Sequence, residues 1–220
     1  MPTQRYTVLA ADDHPVVRSG VRLLLGRERG FDLIAETCDA TGTLTAVERH
    51  PPDVLILDLW MGGNDGLELL RQIRARWPEI RILVYSMNDE RIFGPRALEA
   101  GAAGYVMKTE SLEELRAALH IAAEGGRYMS GALAAELADS ALRAVNRPRK
   151  PAVLATLTDR ELQILRLIGT GHATAIIAET LRISPKTVGA HRENLKNKLG
   201  LEDGTALTQR AVQLVESHVL

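Results

Sequence analysis

Short β-rich apolar runs alternate with segments whose apolar residues recur at helical spacing throughout residues 6–124, and few folds accommodate that alternation. The runs are Tyr6–Ala11, Leu33–Glu36, Val54–Leu57, Ile82–Ser86 and Gly104–Met107. Between and after them stand Val16, Leu23 and Leu24; Leu44 and Val47; Leu67, Leu70 and Ile73; Leu98; and Leu112, Leu115 and Leu119. Strand and helix in turn imply a parallel sheet with helices on both faces. Five such units in about 120 residues predict an α/β flavodoxin-like domain with a five-stranded parallel sheet.

After Glu124 the strand signals stop. Gly125-Gly126 breaks the last helix, the alanines and leucines of Ala132–Val145 predict another, and Asn146-Arg-Pro-Arg-Lys-Pro151 cannot continue it. Its two prolines and three positive charges make a solvated hinge, so the domain boundary is placed inside Arg147–Ala155. The chain then divides into an α/β domain over 1–128, a helix and basic linker over 129–155, and an all-α domain over 156–220. A length of 220 residues suits two domains.

A formal charge of −1 gives no global electrostatic footprint, so a nucleic-acid surface must be local. The single cysteine, Cys38, forbids an internal disulfide and reads as a small buried or half-buried hydrophobe in a reducing compartment. No apolar leader precedes the first strand and no apolar stretch approaches about 18 residues, so a cytoplasmic chain without membrane contact is expected.

Asp12, Asp13, Asp58, Ser86 and Lys108 each stand at or just past the carboxyl end of an apolar run. In an open parallel sheet such ends converge on one crevice. Three crowded carboxylates repel and raise the pKa of at least one unless a cation neutralises them. An all-oxygen site with room for water suits Mg²⁺, which pairs readily with phosphate oxygens. One carboxylate can then attack a phosphoryl group, with Lys108 and Ser86 contacting its oxygens. Each residue alone has a plainer reading: a helix cap for Asp12-Asp13, turn formers for Asp58 and Ser86, a surface charge for Lys108, packing for Tyr105.

The motifs Asp12-Asp13-His14-Pro15, Asp58-Leu-Trp-Met61 with Gly62-Gly-Asn-Asp-Gly66, Ser86-Met87, and Ala100-Gly101-Ala-Ala-Gly104-Tyr105 leading to Lys108 together resemble the receiver domain of two-component response regulators. The resemblance implies Asp58 as phosphoacceptor, Asp13 as a direct Mg²⁺ ligand, Asp12 as a ligand through water, and the backbone carbonyl of Trp60 completing the coordination. It also puts Ser86 and Tyr105 at paired switch positions, Tyr105 filling the space that Ser86 leaves. Gly62 replaces the family's usual proline, which loosens the loop beyond Asp58, and Thr109 replaces a proline after Lys108, so no cis bond is expected there.

The second domain opens with Thr158-Asp-Arg-Glu161, a capping box with Leu157 and Leu162 as hydrophobic staple. Gly169-Thr-Gly171 ends that helix, Ala173–Leu181 makes a second, Arg182-Ile183 turns, and Ser184-Pro185 starts a third ending at Gly200. This is the helix-turn-helix plan. On the third helix Val188, His191, Leu195 and Leu199 face inward, leaving Lys186, Thr187, Arg192, Asn194, Lys196 and Lys198 largely outside. From Arg182 to Lys198 five basic residues face one acid, which suits a major groove. The last helix, Thr205–Val219, either packs on its own domain or pairs two copies.

Leu157-Thr-Asp-Arg-Glu161 through Ile183-Ser-Pro-Lys-Thr-Val188, with His191, Asn194 and Lys198-Leu-Gly200, resembles the LuxR-type helix-turn-helix. Ala175 and Ile176 replace a polar pair common in the scaffold helix, and Gly189 stands where many relatives place lysine. The combination resembles the NarL/FixJ response regulators. It implies a non-enzymatic transcription factor, dimeric when phosphorylated, with a sensor histidine kinase and double-stranded DNA as partners and RNA polymerase as a further one. The implied DNA-contacting set is Lys186, Thr187, Gly189, His191, Arg192, Asn194, Lys196 and Lys198. Two rivals stand beside it: a regulator that ignores phosphate, and a Mg²⁺-dependent aspartyl-phosphate phosphatase. The second wants an acid two positions after the nucleophile, where this chain has Trp60.

Overall fold

The structure, a computed structural model, describes residues 5–61, 64–135, 137–138 and 153–220. The chain forms two compact units, Met1–Glu136 and Leu137–Leu220. The proposed hinge Asn146–Pro151 lies outside the described residues, as do Gly62 and most of Ala132–Val145. Residues 132–135 and 137–138 of that last stretch are helical, as is Gly131 before it.

Unit one carries β1 (Tyr6–Ala11), α1 (Pro15–Arg27), β2 (Phe31–Thr37), α2 (Ala40–Arg49), β3 (Val54–Leu57), β4 (Trp60–Met61), β5 (Asn64–Asp65), α3 (Gly66–Arg76), β6 (Arg81–Ser86), α4 (Glu90–Glu99), β7 (Gly104–Met107) and α5 (Leu112–Ala123). The main sheet has the order β2-β1-β3-β6-β7, and every pairing in it is parallel. β4 and β5 form a separate antiparallel pair just beyond Asp58. Each run expected from the sequence is a strand, and β2 begins earlier, at Phe31, because β1 pairs with it from Tyr6 onward.

Because successive side chains point to opposite faces, Val8, Ala10, Val54, Ile56, Leu83, Tyr85 and Val106 form one core with Val21, Leu24 and Leu25 of α1 and Leu115, Ala118 and Leu119 of α5. Val16 and Leu23 belong to the apolar pattern of α1 yet are 83% and 57% exposed. The inward stripe is Val21, Leu24 and Leu25, the i, i+3, i+4 set, and a residue half a turn from it cannot reach the sheet. Cys38 is exposed, which corrects its assignment as a buried or half-buried hydrophobe. It follows β2, an edge strand, where the chain turns away from the core toward α2.

In unit two a 3₁₀ turn (Val153–Thr156) precedes α6 (Asp159–Gly169), α7 (Thr174–Thr180), α8 (Pro185–Leu199) and α9 (Gly204–Glu216). Thr158 caps α6 through the reciprocal box with Glu161, and Leu157 and Leu162 are both buried. Arg182, at φ 52°, makes the left-handed turn between α7 and α8, and Gly200 ends α8 at φ 66°. The last helix packs on its own domain: a Cβ on Gly169 would lie 2.5 Å from the Ala211 carbonyl oxygen, so glycine lets α6 and α9 touch. Among the described residues no helix is long and apolar enough to cross a membrane.

Candidate functional site

The order of the sheet reverses between β1 and β3, and the crevice at their carboxyl ends is where a parallel sheet gathers a site. Asp12 follows β1 and Asp58 follows β3, and both are buried. Lys108, just past β7, puts its Nζ 2.6 Å from Asp12 Oδ2 and 2.7 Å from Asp58 Oδ2, with its side chain only 4% exposed. Asp13 keeps 34% of its side chain exposed, so solvent reaches the cluster from that side. Carboxylate and imidazole atoms of Asp12, Asp13, His14 and Asp58 lie within 4.8 Å of one another, a group able to hold a metal ion.

Local structure fixes these positions. Asp12 Oδ1 accepts the His14 N–H at 2.9 Å, the Asx-type turn that starts α1 ahead of Pro15. The capping expectation for Asp12 is therefore met by a turn, since His14 is the N-cap and uses no side-chain cap bond. Arg18, a residue the motifs did not single out, donates to the Asp12 carbonyl at 2.6 Å and holds that turn from α1. His14, quoted in the motif without a role, places Nδ1 2.8 Å from Asp13 Oδ1 and 3.2 Å from Asp12 Oδ1. The peptide after Lys108 is trans, as Thr109 led one to expect.

Burial is the largest influence on Asp58 and raises its pKa above the ordinary carboxylate value; the Lys108 charge opposes that rise and the Asp12 charge adds to it. For Lys108 burial pulls downward, but Asp58 and Asp12 outweigh it and the ammonium form is favoured. The lysine is thus a fixed cation, and it does not fully offset the burial of Asp58 together with the nearby Asp12 charge.

Ser86 Oγ lies 2.9 Å from Asp58 Oδ1 and 2.8 Å from Asn88 Oδ1, yet its hydroxyl carries one hydrogen. Asn88 Nδ2 is buried with no hydrogen-bond partner. Turning the Asn88 amide over removes the conflict at Ser86: Nδ2 donates to Ser86, Ser86 donates to Asp58, and the carbonyl oxygen takes the place that lacks a partner. Tyr105 is fully buried and its hydroxyl donates to the Asn88 carbonyl at 2.9 Å. The ring is thus buried while Ser86 holds Asp58. Asn88 joins Ser86 and Tyr105, and its only signal in the sequence was its place two residues past a strand end.

A second candidate surface lies on α8. Lys186, Thr187, Asn194 and Lys198 are exposed, Gly189, His191, Arg192 and Lys196 half-buried, and Val188 and Leu195 buried. Two of the lysines are engaged within the domain: Lys196 pairs with Glu193 at 2.9 Å and Lys198 with Glu161 at 2.7 Å. Glu161 also accepts the Thr158 N–H at 2.8 Å, so one buried carboxylate ties the cap of α6 to the end of α8. Burial raises the Glu161 pKa, but the Lys198 and Thr158 bonds outweigh it and the net shift is downward. Its stabilisation is therefore present above the ordinary glutamate value and is lost as pH falls through the lower folded one. Protection of the α6 amides, corrected for the intrinsic exchange rate at each pH, is expected to fall in the wild type below about pH 4.5, whereas in Glu161→Gln it is lower at neutral pH and responds little to acid.

Comparison with known proteins accounts for both regions. Residues 8–120 match the response regulator receiver domain and residues 155–211 the luxR family of bacterial regulatory proteins. The chain is 30% identical to the transcriptional regulatory protein DegU of Brevibacillus brevis, over 94% of this chain and 92% of that one. It is 32% identical to the response regulator GacA of Pseudomonas aeruginosa, covering 94% and 95%.

The chain belongs to the LuxR-type response regulators.

A solved relative of this response regulator is RcsB from Salmonella enterica serovar Typhimurium bound to promoter rprA with the phosphomimetic BeF3⁻, at 26% identity, TM-score 0.72, and coverage of 94% and 98%. A second RcsB structure reaches TM-score 0.75 at 27% identity, covering 99% of this response regulator and all of that chain. Five parallel strands with flanking helices followed by a helical DNA-binding unit are common to the family and to this regulator.

Proposed function

We propose that this response regulator is switched by phosphorylation of Asp58 by a histidine kinase and then binds duplex DNA as a dimer. The observation carrying this reading is Asp58 itself: a buried carboxylate 2.7 Å from Lys108 Nζ, within bonding distance of Ser86, at the switch point of the sheet. One of its carboxylate oxygens forms a bond to phosphorus while the bond from phosphorus to the donor's nitrogen or oxygen breaks, the electron pair leaving with the donor. Lys108 holds one phosphoryl oxygen as a point charge and Ser86 donates to another.

The donor set fits Mg²⁺. Asp12, Asp13 and Asp58 offer only oxygen, the Trp60 carbonyl is a further candidate, and the exposure of Asp13 leaves room for water. A bound Mg²⁺ would screen the carboxylates from the incoming phosphoryl group. The position two residues past Asp58, where a small-ester phosphatase carries its second acid, is Trp60 here.

On α8, Lys186, Thr187, Gly189, Arg192 and Asn194 form the proposed reading face, with His191 and Lys196 at its margin and Lys198 held back by Glu161. A Cβ on Gly189 would meet nothing within 4 Å, so the domain itself does not require glycine there. A close DNA backbone would. The stretch Arg147–Ala155 is proposed as the hinge that leads into the helix-turn-helix domain, and the cytosol as the compartment.

Affinity for DNA fragments selected by the phosphorylated protein tests the reading. Acetyl phosphate with Mg²⁺ is expected to tighten binding about tenfold or more, roughly 1.4 kcal/mol or above; equal affinity with and without the donor sinks it. Lys186→Ala and Arg192→Ala are expected to weaken binding to all sequences and to lower the salt slope by about 1 each. Asn194→Ala should instead change sequence preference by about 1–3 kcal/mol at one position.

A further inference from the structure

The chain leaving α5 is fastened to the sheet and to α4 by contacts that neither the phosphoacceptor site nor DNA binding requires. Arg81 Nη2 donates to the carbonyls of Gly125 and Gly126 at 3.0 and 2.6 Å. Tyr128 N–H donates to the Ala103 carbonyl at 2.8 Å, and Tyr128 forms an isolated parallel bridge with Gly104 of β7. Gly104 permits that approach, since a Cβ there would lie 2.8 Å from the Tyr128 carbonyl oxygen.

Two residues on, Ser130 Oγ donates to Glu90 Oε1 at 2.6 Å and accepts the Leu133 N–H at 3.0 Å. One hydroxyl thereby joins the first residue of α4 to the first turn of the helical segment 131–135. Leu133 is fully buried, and its Cδ2 would lie 2.7 Å from a Cβ on Gly94. Gly94 is thus a notch in α4 into which Leu133 fits. Pro95 follows it and cannot donate the N–H that a helix interior expects, so α4 is weakened where Leu133 seats.

The other end of α4 begins at the switch. Ser86 hydrogen bonds Asp58, Asn88 meets both Ser86 and Tyr105, and Glu90 is only four residues beyond Ser86. We propose that Ser130, Leu133 and Gly94 form a clasp through which the state of Asp58 is passed to the chain entering the linker. This rests on the proposed role of Asp58. When Ser86 turns to a phosphoryl oxygen, Asn88 and the first turn of α4 shift with it, Glu90 draws on Ser130, and Leu133 changes its hold in the notch. The clasp residues are positioning residues: none touches the carboxylate cluster.

Hydrogen exchange on the full-length protein, with and without acetyl phosphate and Mg²⁺, tests the clasp, while intact mass reports labelling of Asp58 in the same samples. In the wild type the amides of Leu133 and Ala134, which donate to Ser130, are expected to change their exchange rate by about tenfold on labelling. Gly94→Ala, which displaces Leu133, and Ser130→Ala, which uncouples Glu90, are expected to label normally yet lose that response. A labelled wild type whose 130–135 amides do not respond overturns the clasp, as do labelled variants that respond as the wild type does. Absence of labelling in the wild type overturns the phosphoacceptor reading instead. Ser130→Ala leaves the notch intact and keeps the test available should Gly94→Ala not fold.

Discussion

Asp58→Asn is expected to take up no phosphoryl group from acetyl phosphate and Mg²⁺, as judged by intact mass, and to lose donor-dependent DNA binding. The amide preserves the shape of the side chain but not the nucleophilic charge. The same substitution is expected to raise the thermal midpoint of the receiver. Burial has lifted the Asp58 pKa, so at neutral pH ionising this carboxylate works against folding, and its removal leaves Lys108 still paired with Asp12. Function lost together with stability gained separates a chemical role from a structural one. The pH dependence follows the same logic. Attack needs the ionised acid, so labelling falls as pH drops through a value above the ordinary 3.8, and added Mg²⁺ should move that fall to lower pH. A labelled Asp58→Asn protein would refute the assignment.

The largest structural effect is expected at Gly66. It opens α3, and its N–H donates to the Leu59 carbonyl at 2.9 Å. A Cβ there would lie 2.4 Å from Leu59 Cα, 2.6 Å from its oxygen and 2.7 Å from its carbonyl carbon. These are backbone atoms of the residue next to Asp58, and they cannot swing aside as a side chain end can. Gly66→Ala is expected to cost about 3 kcal/mol or more and to lower the receiver's midpoint by about 10 °C. Gly20→Ala, in the middle of α1 with nothing within 4 Å, is expected to act in the opposite sense, by about 0.5–1 kcal/mol. Differential scanning calorimetry on the two variants distinguishes close approach from helix propensity. Equal shifts would remove the steric account.

The sheet and the helix-turn-helix were legible because each depends on local chemistry. Val54–Leu57 is apolar at every position, as a strand covered on both faces must be, and Ser184-Pro185 with Gly200 brackets α8 by the rules of helix ends. The carboxylate cluster was legible for a related reason. A parallel sheet leaves few places for strand ends to go, so Asp12, Asp58, Ser86 and Lys108 had one destination.

Side-chain direction was a different matter. Val16 and Leu23 share the apolar character of Leu24, yet only the docking angle of α1 on the sheet decides which of them is covered. Cys38 is exposed because the chain turns at the edge of the sheet, a fact with no local signature. Lys198 looked like one more cation on a basic helix until the fold brought buried Glu161, 37 residues earlier, within 2.7 Å. The inward Tyr105, the bridging Asn88 and the Leu133 notch at Gly94 likewise arise where residues distant in sequence meet. Periodicity, caps and charge act between near neighbours along the chain, so the order of residues states them directly. Which polar atom finds which partner depends on how helices pack against the sheet, and that is settled only when the whole core closes at once.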